Sequence, residues 1–216
     1  MKEAGQIIEL LTPDAPAVRA ALSQNTPERT PMHWDALLEP LRRILNRDGV
    51  PFSGAASEAS PLIVYPGLAR DSLAMRPVMR LCRRMGYDAR DWGRGMNLGP
   101  EGSIEDFIAG LSHDVARTAR ETGVPVTLVG WSLGSVYARE IARLMPEAVR
   151  HVVAIGSPDH YQRDAFGVRW LLRWAARTGR EDVRKLLAML RRPLRTPLTC
   201  ISALADGSVA RLPALA

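Results

Sequence analysis

The sequence predicts an α/β fold: a mostly parallel sheet with helices on both faces. Three observations carry this. From residue 61 onward, short runs of strand character alternate with segments whose apolar residues keep helical spacing. The strand-like runs are apolar at consecutive positions, as in Leu62-Ile63-Val64-Tyr65, which suits strands buried on both faces. And in VTLVGWSLGSVYAREIA, residues 126–142, strand and helix meet at a glycine-flanked serine with no loop between them.

Residues 1–60 stand apart from this rhythm. The first 31 are rich in Pro, Thr and Asp around Ile7, Ile8, Leu10 and Leu11, and read as a loosely docked arm. Trp34, Leu37, Leu38, Leu41, Ile44 and Leu45 mark an amphipathic helix over 33–47, expected to dock on the domain rather than on a membrane surface. Residues 48–60 form a Gly/Ser/Ala/Pro linker. The core domain is then 61–216. Its first strand ends at Pro66-Gly67, a helix spans 72–85, and a second strand runs from Tyr87 to Trp92. Ser103 and Asp106 form a capping box that opens a helix to about Glu121. Strand 124–131, helix 133–145, strand 151–156 and strand 198–202 follow, with two helices over 160–192 breaking the alternation.

Composition sets bounds. The 216 residues suffice for one domain with a sizeable core. The net charge of +6 is almost wholly arginine, with lysine only at Lys2 and Lys185. No nucleic-acid motif accompanies the arginines, so a solvated basic face is expected and nucleic acid is not. Cys82 and Cys200, the two cysteines, are expected as buried reduced thiols. Neither a signal peptide nor a membrane span is legible, and the expected address is the cytoplasm.

The chemistry centres on Gly130-Trp131-Ser132-Leu133-Gly134. G-x-S-x-G between strand and helix describes a nucleophile elbow. Its turn is sharp enough that side chains two positions either side of the serine would collide. Ser132 Oγ then stands clear of the sheet at a helix N-terminus, where the dipole favours developing negative charge. A strand–turn–helix with chance glycines is the plainer alternative. In open parallel sheets the active site lies beyond the carboxyl ends of the strands. Ser132, Gly67, the loop after Trp92, Ser157 and Asp206 all fall on that edge.

Four pieces in order resemble the α/β-hydrolases, in particular bacterial lipase/esterase-like hydrolases. They are Pro66-Gly67-Leu68, then Trp92-Gly93-Arg94-Gly95-Met96-Asn97-Leu98-Gly99-Pro100, then the elbow, then Gly156-Ser157-Pro158. The resemblance covers about residues 60–210. It implies a serine hydrolase of carboxylic esters, with no metal or cofactor and a small-molecule or lipid-like acyl ester as substrate. Ser132 is the expected nucleophile and Asp206, in Asp206-Gly207-Ser208-Val209, the expected acid; Asp159 is the alternative. The N–H groups of Leu133 and Leu68 are the expected oxyanion donors. Gly67, Trp131, Asn97 and Trp170 are the candidate substrate-binding residues, although Pro66-Gly67 alone is also a plain turn and Asn97 also a loop-stabilising residue.

The histidine expected after Asp206 does not appear between Gly207 and Ala216. The reading at this point is an α/β-hydrolase fold shortened at its C-terminal edge, with 198–202 an open edge strand. Of His33, His113, His151 and His160, only His160 falls on the active edge, as a substitute base or a surface-loop residue. Residues 160–192 carry two apolar stripes, with Phe166, Trp170 and Trp174 in the first. They read as a helical cap over Ser132 or as helices on the body. A catalytically silent binding domain, a truncated product and an acyltransferase stay open beside the esterase reading.

Overall fold

The computed structural model describes residues 34–47, 60–157, 180–190, 192–203 and 209–212. In chain order the elements are α1 (Trp34–Arg47), β1 (Pro61–Tyr65), α2 (Arg76–Arg84), β2 (Asp88–Asp91), α3 (Ile104–Thr122), β3 (Val126–Trp131), α4 (Leu133–Leu144), β4 (Val149–Ile155), α5 (Arg180–Leu190), β5 (Leu198–Ala203) and β6 (Val209–Leu212). The expected arm (1–31), linker residues 48–59, and His33, Asp159, His160, Phe166, Trp170, Trp174 and Asp206 lie outside the described residues.

The six strands form one sheet in the order β2-β1-β3-β4-β5-β6. The first five are parallel and β6 runs antiparallel to β5. Alternation along each strand divides the core. Leu62 and Val64 of β1, Val129 of β3 and Val153 and Ile155 of β4 face one layer, with Leu41 and Leu45 of α1 and Val78, Met79 and Cys82 of α2. Ile63, Tyr65, Leu128 and Val152 face the other, with α3, α4 and Leu186 and Met189 of α5. Both faces are therefore apolar, and the central strands carry no polar face to solvent.

Local signals set the helix limits. Ser103 Oγ accepts the Asp106 N–H at 3.1 Å and donates to the Asp106 carboxylate at 2.7 Å, and Gly123 ends α3 in the left-handed region at φ +69°. α2 begins at Arg76 rather than residue 72. Asp71 Oδ1 takes the Ala74 N–H at 3.1 Å to form a turn first, and Pro77 fits the first turn of the helix that follows. The amphipathic segment at 34–47 is a helix docked on the sheet, with Leu41 and Leu45 buried.

One expectation needs correction. Strand 198–202 is not an open edge, because Val209–Leu212 covers it in a hairpin with Ala203 opposite Val209 and Cys200 opposite Leu212. Val209–Leu212, four residues between Ser208 and Pro213, is too short to show a periodic signal. α5, within the 160–192 stretch read as a cap or as helices on the body, packs on the body. Leu186 and Met189 are buried in the core, Lys185 pairs with Glu105 of α3 at 3.1 Å, and Arg192 just beyond it pairs with buried Glu140 of α4 at 2.8 Å.

The edge strand β2 is blunted. Arg83 of α2 reaches over it and donates from Nε and Nη2 to the Ala89 carbonyl at 3.1 and 2.8 Å. Charged Asp88, Arg90 and Asp91 fill the remaining positions.

Cys82 is fully enclosed between α2 and the sheet, and burial pushes its thiol up to about 12. At pH 8 only roughly one thiol in 10⁴ is then ionised. The expected outcome is that iodoacetamide at pH 8 leaves Cys82 unmodified in the folded chain and alkylates it promptly in denaturant, read by peptide mass spectrometry. Comparable rates in both states would contradict the packing of α2 on the sheet.

Candidate active site

Ser132 sits where β3 gives way to α4, at φ +50° and ψ −116°. A non-glycine residue there carries strain of order 1–3 kcal/mol and persists only where the surroundings enforce it. Here the surroundings do so on two sides. The Ser132 N–H donates to the Ile155 carbonyl of β4 at 2.8 Å. Its own carbonyl accepts from Ser135, from the N–H at 2.9 Å and from Oγ at 2.5 Å.

Both elbow glycines are obligatory, for different neighbours. A Cβ on Gly130 would overlap the backbone of Gly134 and Ser135 in the first turn of α4. A Cβ on Gly134 would overlap the Tyr65 and Pro66 carbonyls where β1 ends. The helix thus starts in backbone contact with the turn after β1. Gly67 completes the enclosure: a Cβ there would stand 3.4 Å from both Ser132 Cβ and the Trp131 carbonyl. That is ordinary contact, so glycine is not strictly required at 67, but a longer side chain would fill the space before the serine.

The turn Pro66–Arg70 lies beside the serine. Arg70 N–H closes it on the Gly67 carbonyl at 3.1 Å, and Ala69 N–H goes to the Asn97 carbonyl at 2.6 Å. Among the described residues no acceptor takes the Leu68 N–H. The Leu133 N–H, at the first position of α4, likewise finds none, as expected of a helix N-terminus. Leu133's side chain is wholly buried.

The candidate substrate-binding residues separate. Gly67 and Trp131 border Ser132, and Trp131 is half-buried with the Arg70 guanidinium 5.8 Å from its ring centroid. Asn97 does not face the site. It is 0% exposed, and its Nδ2 donates to the Pro66 carbonyl at 2.7 Å while Oδ1 accepts from Gly99 N–H at 3.1 Å. Its neighbours Met96 and Leu98 are exposed apolar side chains of that loop.

Sequence reasoning passed over Tyr137. It is fully buried on α4, stacks on Trp92, meets Phe107 edge-on at 5.2 Å, and donates its hydroxyl to Asn97 Oδ1 at 3.4 Å. Burial holds its phenol far above the ordinary value, so it remains a donor. The signal available was a lone polar atom in an otherwise apolar helix face. Ser157 lies two residues past β4, one strand from the elbow. Its hydroxyl is buried and finds no partner among the described residues, an uncommon state for a native hydroxyl.

Neither described histidine reaches Ser132. His113 is exposed on α3. His151 is buried low in β4 and shares a 3.0 Å hydrogen bond with Thr199. It lies four residues before Ile155, roughly 13 Å down the strand. Among the described residues no cluster of His, Cys, Asp or Glu could hold a metal ion, and no helix is long and apolar enough to cross a membrane.

No protein-family model and no curated protein matches the chain. Solved structures do, at low identity. A lipase from Bacillus licheniformis in its propeptide form is 22% identical, with 50% of this chain and 24% of that one covered and a TM-score of 0.39. A soluble variant of monoglyceride lipase from Saccharomyces cerevisiae is 14% identical over 48% and 38% of the two chains, at 0.39. Alpha/beta hydrolase domain-containing protein 10 from mouse is 14% identical over 71% and 73%, at 0.44. The chain thus spans well under half the length of the two lipases.

The elbow makes a sharp prediction. Gly134→Ala sets a methyl against backbone that cannot move aside, and is expected to cost on the order of 3 kcal/mol. Urea unfolding followed by tryptophan fluorescence measures it, with Gly93→Ala as the comparison, a site where a Cβ would meet nothing within 4 Å and only the left-handed φ of +73° adds a cost, about 1 kcal/mol. A smaller loss at Gly134 than at Gly93 would contradict the close approach of α4 to Tyr65.

Proposed function

We propose that this chain is an α/β-hydrolase-type domain that acts on carboxylic esters through Ser132. One observation carries the reading: a non-glycine residue held at φ +50° between two glycines, with the Pro66–Arg70 turn against it. Strain held at a serine on the carboxyl edge of a parallel sheet is what an exposed nucleophile requires.

In this reading Ser132 Oγ adds to the ester carbonyl carbon. The carbonyl π pair moves to oxygen, and the serine proton passes to a base. Leu133 N–H and Leu68 N–H, both without acceptors among the described residues, receive the oxyanion, assisted by the N-terminus of α4. Collapse expels the alkoxide, which takes up the proton, and leaves acyl-Ser132. Water then repeats the sequence and releases the acid. Asp206 is the acid that would orient and stabilise the base. An acceptor alcohol in place of water would make the same site an acyltransferase. The substrate is a small-molecule or lipid-like ester, and no step calls for a metal or cofactor.

A second reading, a silent binding domain, is favoured by one observation: His113 and His151 both stand away from Ser132. Base-free sites of this kind retain roughly 10³–10⁴ over water from binding and the oxyanion hole. Supplying the base separates the readings. Hydrolysis of p-nitrophenyl butyrate by the 216-residue chain is expected to be slow and to rise with added imidazole beyond imidazole's own contribution. Ser132→Ala is expected to abolish that increment. Identical rates for the chain and Ser132→Ala at every imidazole concentration would leave the binding reading in place of the enzyme.

A further inference from the structure

We propose that Asn97 is a positioning residue that sets the spacing between the two oxyanion donors, with Tyr137 as its partner on the nucleophile helix. This rests on the reading of Ser132, Leu68 and Leu133 given above. Asn97 has no access to solvent and makes five hydrogen bonds. Three of them grip the turn after β1. Its Nδ2 donates to the Pro66 carbonyl at 2.7 Å, its backbone N–H to the Arg70 carbonyl at 2.8 Å, and its carbonyl accepts from Ala69 N–H at 2.6 Å. The Leu68 peptide is thereby bracketed on both sides by one residue.

The bracket has a conformational consequence. Ala69 lies at φ +54°, in the left-handed region that non-glycine residues avoid. Released, it would relax toward negative φ and carry the Leu68 peptide with it. The bond from Ala69 N–H to Asn97 opposes that rotation. Leu68 N–H, which takes no acceptor among the described residues, thus stays next to Gly67, the residue that abuts Ser132.

The fifth bond ties this turn to the other donor. Tyr137 stands on α4 one turn beyond Leu133, and its hydroxyl reaches Asn97 Oδ1 at 3.4 Å. Its ring is fixed by Trp92, stacked at 6.4 Å, and by Phe107. Asn97 itself cannot drift, because its loop is anchored twice. Trp92 Nε1 donates to the Gly95 carbonyl at 2.9 Å. Arg94 lies over α3, paired with Asp114 at 2.9 Å, where a Cβ on Gly110 would come within 3.3 Å of its guanidinium. The result is one buried carboxamide joined to both the turn that holds Leu68 and the helix that begins at Leu133.

The test compares Asn97→Ala and Tyr137→Phe with the parent chain. Two quantities are read: kcat and KM for Ser132-dependent, imidazole-assisted hydrolysis of p-nitrophenyl butyrate, and amide hydrogen exchange at Ala69 and Arg70. A donor displaced by about 1 Å costs about 10²-fold in rate. Asn97→Ala is therefore expected to lower kcat by roughly 10- to 10²-fold with KM changed less than twofold, and Tyr137→Phe by roughly threefold, the worth of one modest hydrogen bond. Ala69 exchange is expected to quicken in Asn97→Ala while β1 and β3 keep their protection. A merely structural Asn97 would lower the melting temperature and leave kcat per folded molecule unchanged, and that result overturns the proposal. Should Asn97→Ala not fold, an unchanged kcat in Tyr137→Phe overturns it equally. Should the parent show no Ser132-dependent turnover, the esterase reading falls by itself. Ala69 exchange then decides whether Asn97 holds the turn, unchanged exchange overturning it.

Discussion

The contact on which the site depends is between two pieces of backbone. Gly134, in the first turn of α4, touches the carbonyls of Tyr65 and Pro66 at the end of β1. That approach is possible only with no side chain between them, and it fixes two things together. It sets where the helix N-terminus points, and it sets how near the Pro66–Arg70 turn comes to Ser132. Register carries the geometry outward: Tyr65 is level with Gly130, and Trp131 with Ile155, whose carbonyl takes the Ser132 N–H. The strained serine is thus a product of three adjacent strands. No single loop could hold it.

Much of this was legible because it was written in residue types that have few other uses. Consecutive apolar positions in β1, β3 and β4 announce burial on both faces, and the two separate core layers follow from period-two alternation alone. The glycines at 130 and 134 exclude most alternatives once strand and helix flank them. Ser103 and Asp106 mark the start of α3 for an equally local reason. Such features depend on neighbours within a few residues, and the sequence displays those directly.

What the sequence hid depends on residues far apart. Asn97 read as a candidate for substrate because it sits in a glycine-rich loop on the active edge. Its burial arises only when that loop folds beneath the turn after β1 and meets Tyr137, 40 residues on. Likewise β6 is a strand only because β5 offers it an edge; VARL has no periodicity of its own. α5 shows the same limit. Its apolar stripe suits a lid or a body helix equally, and only the fold shows Leu186 and Met189 buried and the pairings to Glu105 and Glu140.

The two kinds of polar group in this core behave differently. Glu140 and Asn97 are buried and fully engaged, one by arginines from α4 and the segment after α5, the other by five hydrogen bonds. Burial of such groups is tolerable only because each is satisfied, and the satisfied network fixes one arrangement of its elements. At the carboxyl edge the rule lapses. Leu68 N–H, Leu133 N–H and Ser157 Oγ lack partners among the described residues, and Ser132 is strained. Unsatisfied groups scattered through a core would destabilise it with nothing gained. Here they converge on one rim of the sheet, beside a network that is complete. Under the proposed esterase function, a rigid, satisfied interior beside these unmet groups would supply electrostatic preorganisation, since donors that need not move to meet an oxyanion incur no reorganisation when it forms.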